Sequence, residues 1–295
     1  MRSVTRIGKD FCWVFGGGGL QSVSAKNAIL PASREMVNVR EERVMSESVA
    51  VEGQSAGPGL SQVERVVDTF VAPTKTFKDI LRDASWWLPY LLGAALGLLF
   101  AYVILNKVGL PTLVDGVIHH SKSLEDRLAN ASPGDAARIR AGIETQFKFS
   151  YAFPVLGLLF GAICAGVLLG TANFVFGGHA KYKQMLAVWF YGTLPLFVFN
   201  LLVIVSIYAG LSGDSFDIQN AIGTNIGYYL SGTELPHWLI TLLSAIDVFA
   251  IWSALLLTLG VSIVSGIKRS SAAVVVFGWW FLYILLKVAG SAISG

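Results

Sequence analysis

Charge is what this sequence has least of. Asp, Glu, Lys and Arg make up 14% of its 295 residues, where a soluble domain carries about 25%, and the mean hydropathy is +0.62. The deficit excludes an ordinary water-soluble chain and points to an integral membrane protein. Cysteine is nearly absent too. Cys12 and Cys164 lie far apart, which excludes a disulfide framework and a cysteine-based zinc site. The four histidines show no metal-ligand spacing: His119 and His120 are adjacent, and His179 and His237 stand alone. The Gly16 to Gly19 run is not followed by Lys-Ser or Lys-Thr, and neither a His-Glu-x-x-His helix nor a Gly-x-Ser-x-Gly elbow occurs. No catalytic residue, metal ligand or cofactor is assigned, and a non-enzyme is expected. Nucleic acid is not an expected partner.

The basic residues are unevenly placed. Residues 1–44 hold seven Lys or Arg against four acids, and the rest of the chain balances at 15 against 15. This leader has only Phe11 to Phe15 as an apolar run, too short for a signal-peptide core of roughly 7–15 residues. It reads as unstructured. Either translation starts at Met45, or the leader is a basic tail that leans on anionic lipid.

Residues 1–60 are thus expected to be a disordered tail, 61–85 an amphipathic cytoplasmic lead-in, and 86–295 a membrane domain. In the lead-in, Val63, Val66, Val67, Phe70 and Val71 fall at helical spacing. After Pro73 come Phe77, Ile80 and Leu81 with Lys75, Lys78 and Arg82 interleaved. The pattern predicts two short helices lying on the membrane surface and broken at the proline. Five apolar stretches follow, at about 86–105, 151–176, 185–211, 236–267 and 270–293. Each is long enough for about 30 Å of hydrocarbon at 1.5 Å rise per residue. The fold class is therefore an all-α bundle of five transmembrane helices.

Orientation follows from Lys and Arg in the short connections. Lys181 and Lys183 join the second and third spans, and Lys268 and Arg269 join the fourth and fifth. The stretch 212–235 has no Lys or Arg, only Asp214, Asp217 and Glu234. The N-terminus is expected inside and the C-terminus outside. The long first connection mixes both signs, and its Leu124 to Phe147 part predicts amphipathic helices around Ser132-Pro133, with Ser132 or Asp135 as a cap.

Four polar residues in or beside the spans are candidates for function: Asp247, Lys287, Asn173 and Asn200. A charge at mid-membrane costs about 2.5–3.5 kcal/mol, so Asp247 is either a capping or hydrogen-bonded acid, a partner of Lys287, or part of an ion or proton path. Small residues let helices approach. Gly157, Gly161 and Ala165 form one such face and Gly166 and Gly170 belong to another, with internal packing the first reading and a homo-oligomer the alternative. Pro195 should kink the third span.

The run Phe70-Val-Ala-Pro73 to Phe77, followed by Trp86-Trp87-Leu-Pro89, resembles the approach to the first span in bacterial members of the YIP family, the Ypt/Rab-GTPase-interacting five-span membrane proteins. Gly177-Gly178 to Lys183-Gln184, then Tyr191-Gly192 and Leu194-Pro195-Leu196, is similar to that family's central signature. So is Asp247-Val-Phe with Ile251-Trp252, Leu255 and Gly260. The resemblance covers roughly residues 62–290 and implies an all-helical fold with a cytosolic tail and five spans. Eukaryotic relatives act in vesicle traffic and bind prenylated Rab-type GTPases. The Asp-Leu-Tyr-Gly-Pro element of their tails is absent here, so no residue is carried over as a GTPase contact.

The expected function is a non-enzymatic adaptor or membrane-organising protein in a bacterial cytoplasmic (inner) membrane. Its expected partners are the lipid bilayer and proteins at the cytoplasmic face. The alternative is a small permease or channel component with Asp247, Lys287 and Asn200 along a polar path.

Overall fold

The structure, a computed structural model, describes residues 59–119, 121–210, 221–230, 233 and 235–294, together with 4–6, 11–16 and 19–24. Met45, His120, Asp214, Asp217 and Glu234 lie outside the described residues. The chain divides into two units, Met1–Gly59 and Leu60–Gly295. In the first, β1 (Val4–Arg6), β2 (Phe11–Gly16) and β3 (Gly19–Ser24) pair antiparallel in the order β1-β2-β3. Val4 stands opposite Val14, and Phe11 opposite Ser24. These three stretches are extended and paired; the rest of the expected tail falls outside the described residues up to position 58.

The second unit is helical. It opens with α1 (Gln62–Val71) and α2 (Pro73–Arg82). Ser61 and Glu64 close a capping box on α1: Glu64 N–H donates to Ser61 Oγ at 3.2 Å and Ser61 N–H to Glu64 Oε2 at 2.7 Å. Pro73 ends α1 and occupies the first turn of α2, where its missing N–H costs nothing. The next helix, α3 (Trp87–Val103), runs through a π-turn at Ile104–Gly109 into α4 (Leu110–His119). After α5 (Lys122–Ala129) comes α6 (Pro133–Lys148), capped by Ser132 as expected, and a 3₁₀ turn leads into α7 (Phe153–Gly170). The third span is α8 (Tyr182–Gly192) followed by α9 (Leu194–Tyr208). Then come α10 (Ile226–Leu230), α11 (His237–Ala245), α12 (Val248–Ser265) and α13 (Arg269–Ser294).

Among the described residues, five continuous helical stretches are long and apolar enough to cross a membrane: Trp87–His119, Pro133–Val175, Tyr182–Tyr208, Val248–Ser265 and Arg269–Ala292. Two of them differ informatively from the apolar runs. The stretch 236–267 is not one helix, because the chain leaves helical geometry at Ile246 and Asp247 and restarts as α12. The third stretch leaves regular helical dihedrals at Thr193, which precedes Pro195 in the first turn of α9, and Thr193 Oγ1 donates to Trp189 O at 2.9 Å.

The main core sits between α2, α7, α8, α12 and α13, around Phe77, Ala165, Val188, Tyr191, Val261 and Val275. The two lead-in helices fold against each other, and Phe77 and Ile80 are fully buried in this core. The groove that admits Phe77 exists because residue 260 is glycine. A Cβ there would stand 2.6 Å from Val188 Cγ1 and 2.8 Å from the Phe77 ring, closer than real side chains pack.

Candidate functional site

The most heavily bonded side chain in the lead-in is Arg65, on α1 and 0% exposed. Its Nε donates to Asp79 Oδ2 at 2.6 Å, and its terminal nitrogens donate to the Asp83 carbonyl at 2.9 Å and the Asp83 carboxylate at 3.2 Å. Its carbonyl accepts from the buried Thr69 and Thr76 hydroxyls at 2.7 and 3.0 Å. A buried charge is tolerable only when paired and hydrogen-bonded in this way. Gln62, one turn earlier, accepts from the buried Tyr191 hydroxyl at 3.0 Å and so joins the knot to α8. Trp86 stacks on Phe190 with centroids 5.6 Å apart, and Phe70 meets Trp252 edge-on at 5.6 Å.

Burial pushes the Asp79 carboxyl up, but hydrogen bonds from Arg82 and Arg65 and their charges outweigh it and hold the group below its ordinary value. A depressed carboxyl contributes stability above its unfolded pKa and loses it as pH falls through the lower folded one. Protection of α1 and α2 against protease is therefore expected to be flat between about pH 5 and 8 and to fall only below about pH 4; a loss near neutrality would contradict the assignment.

Two turns meet at one end of the bundle. Gly177 has φ +69, which favours glycine. Gly178 has no room for a side chain, with Ser265 Cβ at 2.9 Å and Ala172 O at 3.0 Å from a Cβ position. Asn173 clasps the turn from both sides: its amide donates to Ala180 O at 2.9 Å and its oxygen accepts from Ala180 N–H at 3.1 Å. His179 N–H donates to Ser265 O at 3.0 Å, tying this turn to the end of α12. Lys181, Lys183, Lys268 and Arg269 stand exposed on these turns, and none is ion-paired to another described residue.

Asp247 lies at the opposite end of α12 as its N-cap. Its Oδ1 accepts from Phe249 N–H at 2.8 Å and Ala250 N–H at 3.3 Å, and its Oδ2 accepts from the Thr224 hydroxyl. The cap explains why the chain restarts a helix here. Lys287 is exposed on α13, Asn200 is half-buried on α9, and neither is joined to Asp247 by a hydrogen bond or ion pair. Asp247→Asn, which keeps the capping oxygen, is expected to shift stability by less than about 0.5 kcal/mol, and Asp247→Ala to cost about 0.5–2 kcal/mol in thermal unfolding.

Only part of the small-residue faces is used inside the bundle. At Gly161 a Cβ would stand 2.9 Å from Trp189 Nε1 and 3.0 Å from the Phe190 ring; Ala165 is in the main core. Gly166 lies under Tyr182, Gly157 meets only the Phe153 ring of its own helix, and Gly170 has nothing within 4 Å. Of the residues that carry the resemblance, Phe77 and Gly260 meet in the main core, Tyr191 donates to Gln62, Trp252 meets Phe70, Gly177 and Gly178 form the turn, and Pro73 and Pro195 stand in the first turns of α2 and α9.

Sequence reasoning missed Arg65, Asp79, Asp83 and Gln62. The available signal was Arg65 itself, a cation in a valine-rich helix on the side opposite Val63, Val67 and Val71.

Among protein families, the one described as the Yip1 domain matches residues 67–290, more than half of the chain. No curated protein and no solved structure matches.

Proposed function

Because this chain belongs to the Yip1 domain family, we propose that it is a non-enzymatic, membrane-organising adaptor that recruits protein partners at one face of a multi-pass membrane domain. That face is the end bearing Lys181, Lys183, Lys268 and Arg269, which the enrichment of Lys and Arg in cytoplasmic loops places in the cytoplasm; the membrane is a bacterial inner membrane. The observation that carries the reading is where the polar atoms are spent. Asp247 caps a helix, Asn173 clasps a turn and Arg65 holds the lead-in, whereas the four cations at the turns are exposed without ion pairs to described residues. Fixed internal polar groups support a scaffold, and free exposed charge supports recognition.

Deleting residues 61–82 would not test this, because it removes Phe77 and Ile80 from the core. A photo-crosslinking residue placed singly at Lys181, Lys183 or Lys268 in native membranes does. Discrete crosslinks to the same protein from several of these positions, and none from Tyr229 at α10, are expected. Crosslinks to lipid alone would count against partner recruitment. A flux in reconstituted vesicles that Asp247→Asn or Lys287→Gln abolishes would favour the permease alternative.

A further inference from the structure

The outward faces of α1 and α2 differ in kind. Val63, Val67 and Val71 lie four residues apart on one side of α1 and are 66%, 54% and 73% exposed, whereas Arg65 and Thr69 on the inward side are 0% exposed. In water this is the wrong way round, since apolar stripes turn inward and arginine turns out. On α2 the outward residues are Lys75, Lys78 and Arg82 with Leu81. Beyond Glu64, which is exposed in the first turn of α1 and accepts from Ser61 N–H, the outward stripe of α1 is suited to hydrocarbon and that of α2 to water or phosphate.

The contacts place the pair along the spans. Phe77 packs where Val188 and Gly260 meet. Val188 is six residues beyond Tyr182 and Gly260 five before Ser265, about 9 and 7.5 Å of helix rise from those ends. Phe70 reaches Trp252, which is thirteen residues before Ser265, about 20 Å of rise. The turn at Ala72 and Pro73 therefore lies deeper along α12 than Phe77 does.

We propose that α1 and α2 form a re-entrant hairpin seated in one leaflet, the one at the Lys181 and Lys268 end of the spans. Its occupant is the bilayer itself: Val63, Val67 and Val71 contact acyl chains, and Lys75 and Lys78 snorkel to phosphate headgroups. Arg65 is then turned inward because its other choice is hydrocarbon, and Asp79 and Asp83 hold it there. The inference goes beyond partner recruitment and does not depend on which compartment that end faces.

The test uses the full chain carrying Cys12→Ser and Cys164→Ala, with a spin label at Val67→Cys or Lys78→Cys, in nanodiscs of phosphatidylcholine and phosphatidylglycerol holding one copy each. Collision with oxygen is expected to exceed collision with a water-soluble nickel reagent several-fold at Val67, and the order to reverse at Lys78. A nickel-accessible Val67 would mean that the stripe faces water and would overturn the proposal. A Val67 label shielded from both reagents would mean that protein covers the stripe, and would overturn it equally. Should Val67→Cys lower the melting temperature of the parent, Val63→Cys reads the same face.

Discussion

Replacing Arg65 with leucine is expected to cost about 3–5 kcal/mol of stability, the range seen when one partner of a buried ion pair is removed. The reason is less the lost attraction than what remains. Asp79 has a side chain only 11% exposed and keeps Arg82 alone as a cation, while Asp83 loses both its carboxylate and its carbonyl partner. The buried Thr69 and Thr76 hydroxyls donate to the Arg65 backbone carbonyl and keep that partner in the variant. In a detergent-solubilised chain of this size the melting temperature should drop on the order of ten degrees. A compensated variant, Arg65→Leu with Asp79→Leu, should recover part of the loss, because an apolar pair needs no desolvation. If Arg65→Leu melts like the parent, the guanidinium is solvated and the knot is misassigned.

Phe77→Ala is expected to cost about 3–5 kcal/mol through the cavity left among Val188, Gly260 and the rest of the main core. Its companion, Gly260→Ala, should be destabilising by about 1–3 kcal/mol, because the new methyl meets Val188 Cγ1 and the Phe77 ring below 3.0 Å. The informative result is the double variant. With the ring gone, its clash with the added methyl is removed and Val188 can shift into the vacated space, so the combined loss should fall short of the sum by at least about 0.5 kcal/mol. Strict additivity would separate the two residues and remove the contact that seats the lead-in.

Both predictions concern a feature only half legible in the sequence. The two lead-in helices, the break at Pro73 and the five spans follow from local pattern: helical spacing of apolar residues, a proline and long apolar runs need no knowledge of the partner. The facing of α1 was not legible. Val63, Val67 and Val71 define a stripe whichever way it points, and the direction is decided by Arg65 reaching acids 14 and 18 residues away, a pairing that periodicity does not encode. Asp247 shows the same limit. Its position in an apolar run from 236 to 267 is compatible with mid-membrane or with a cap, and what decides is the backbone break at Ile246 together with the Thr224 hydroxyl 23 residues earlier. The clasp of Asn173 on Ala180 depends on a turn geometry set by Gly177 and Gly178 that single residues only hint at.

Residues 62–82 belong to the same compact unit as the spans. Hydrogen–deuterium exchange on the full chain in nanodiscs tests this most directly, by comparing amides of Thr69, Thr76, Phe77 and Ile80 with those of α8 and α12. Protection of the same order as in those spans is expected, because these four residues are fully buried, and Arg65→Leu should reduce it in α1 and α2 ahead of the spans. Exchange of the four amides orders of magnitude faster than in α8 and α12 in the unmodified chain would contradict the account.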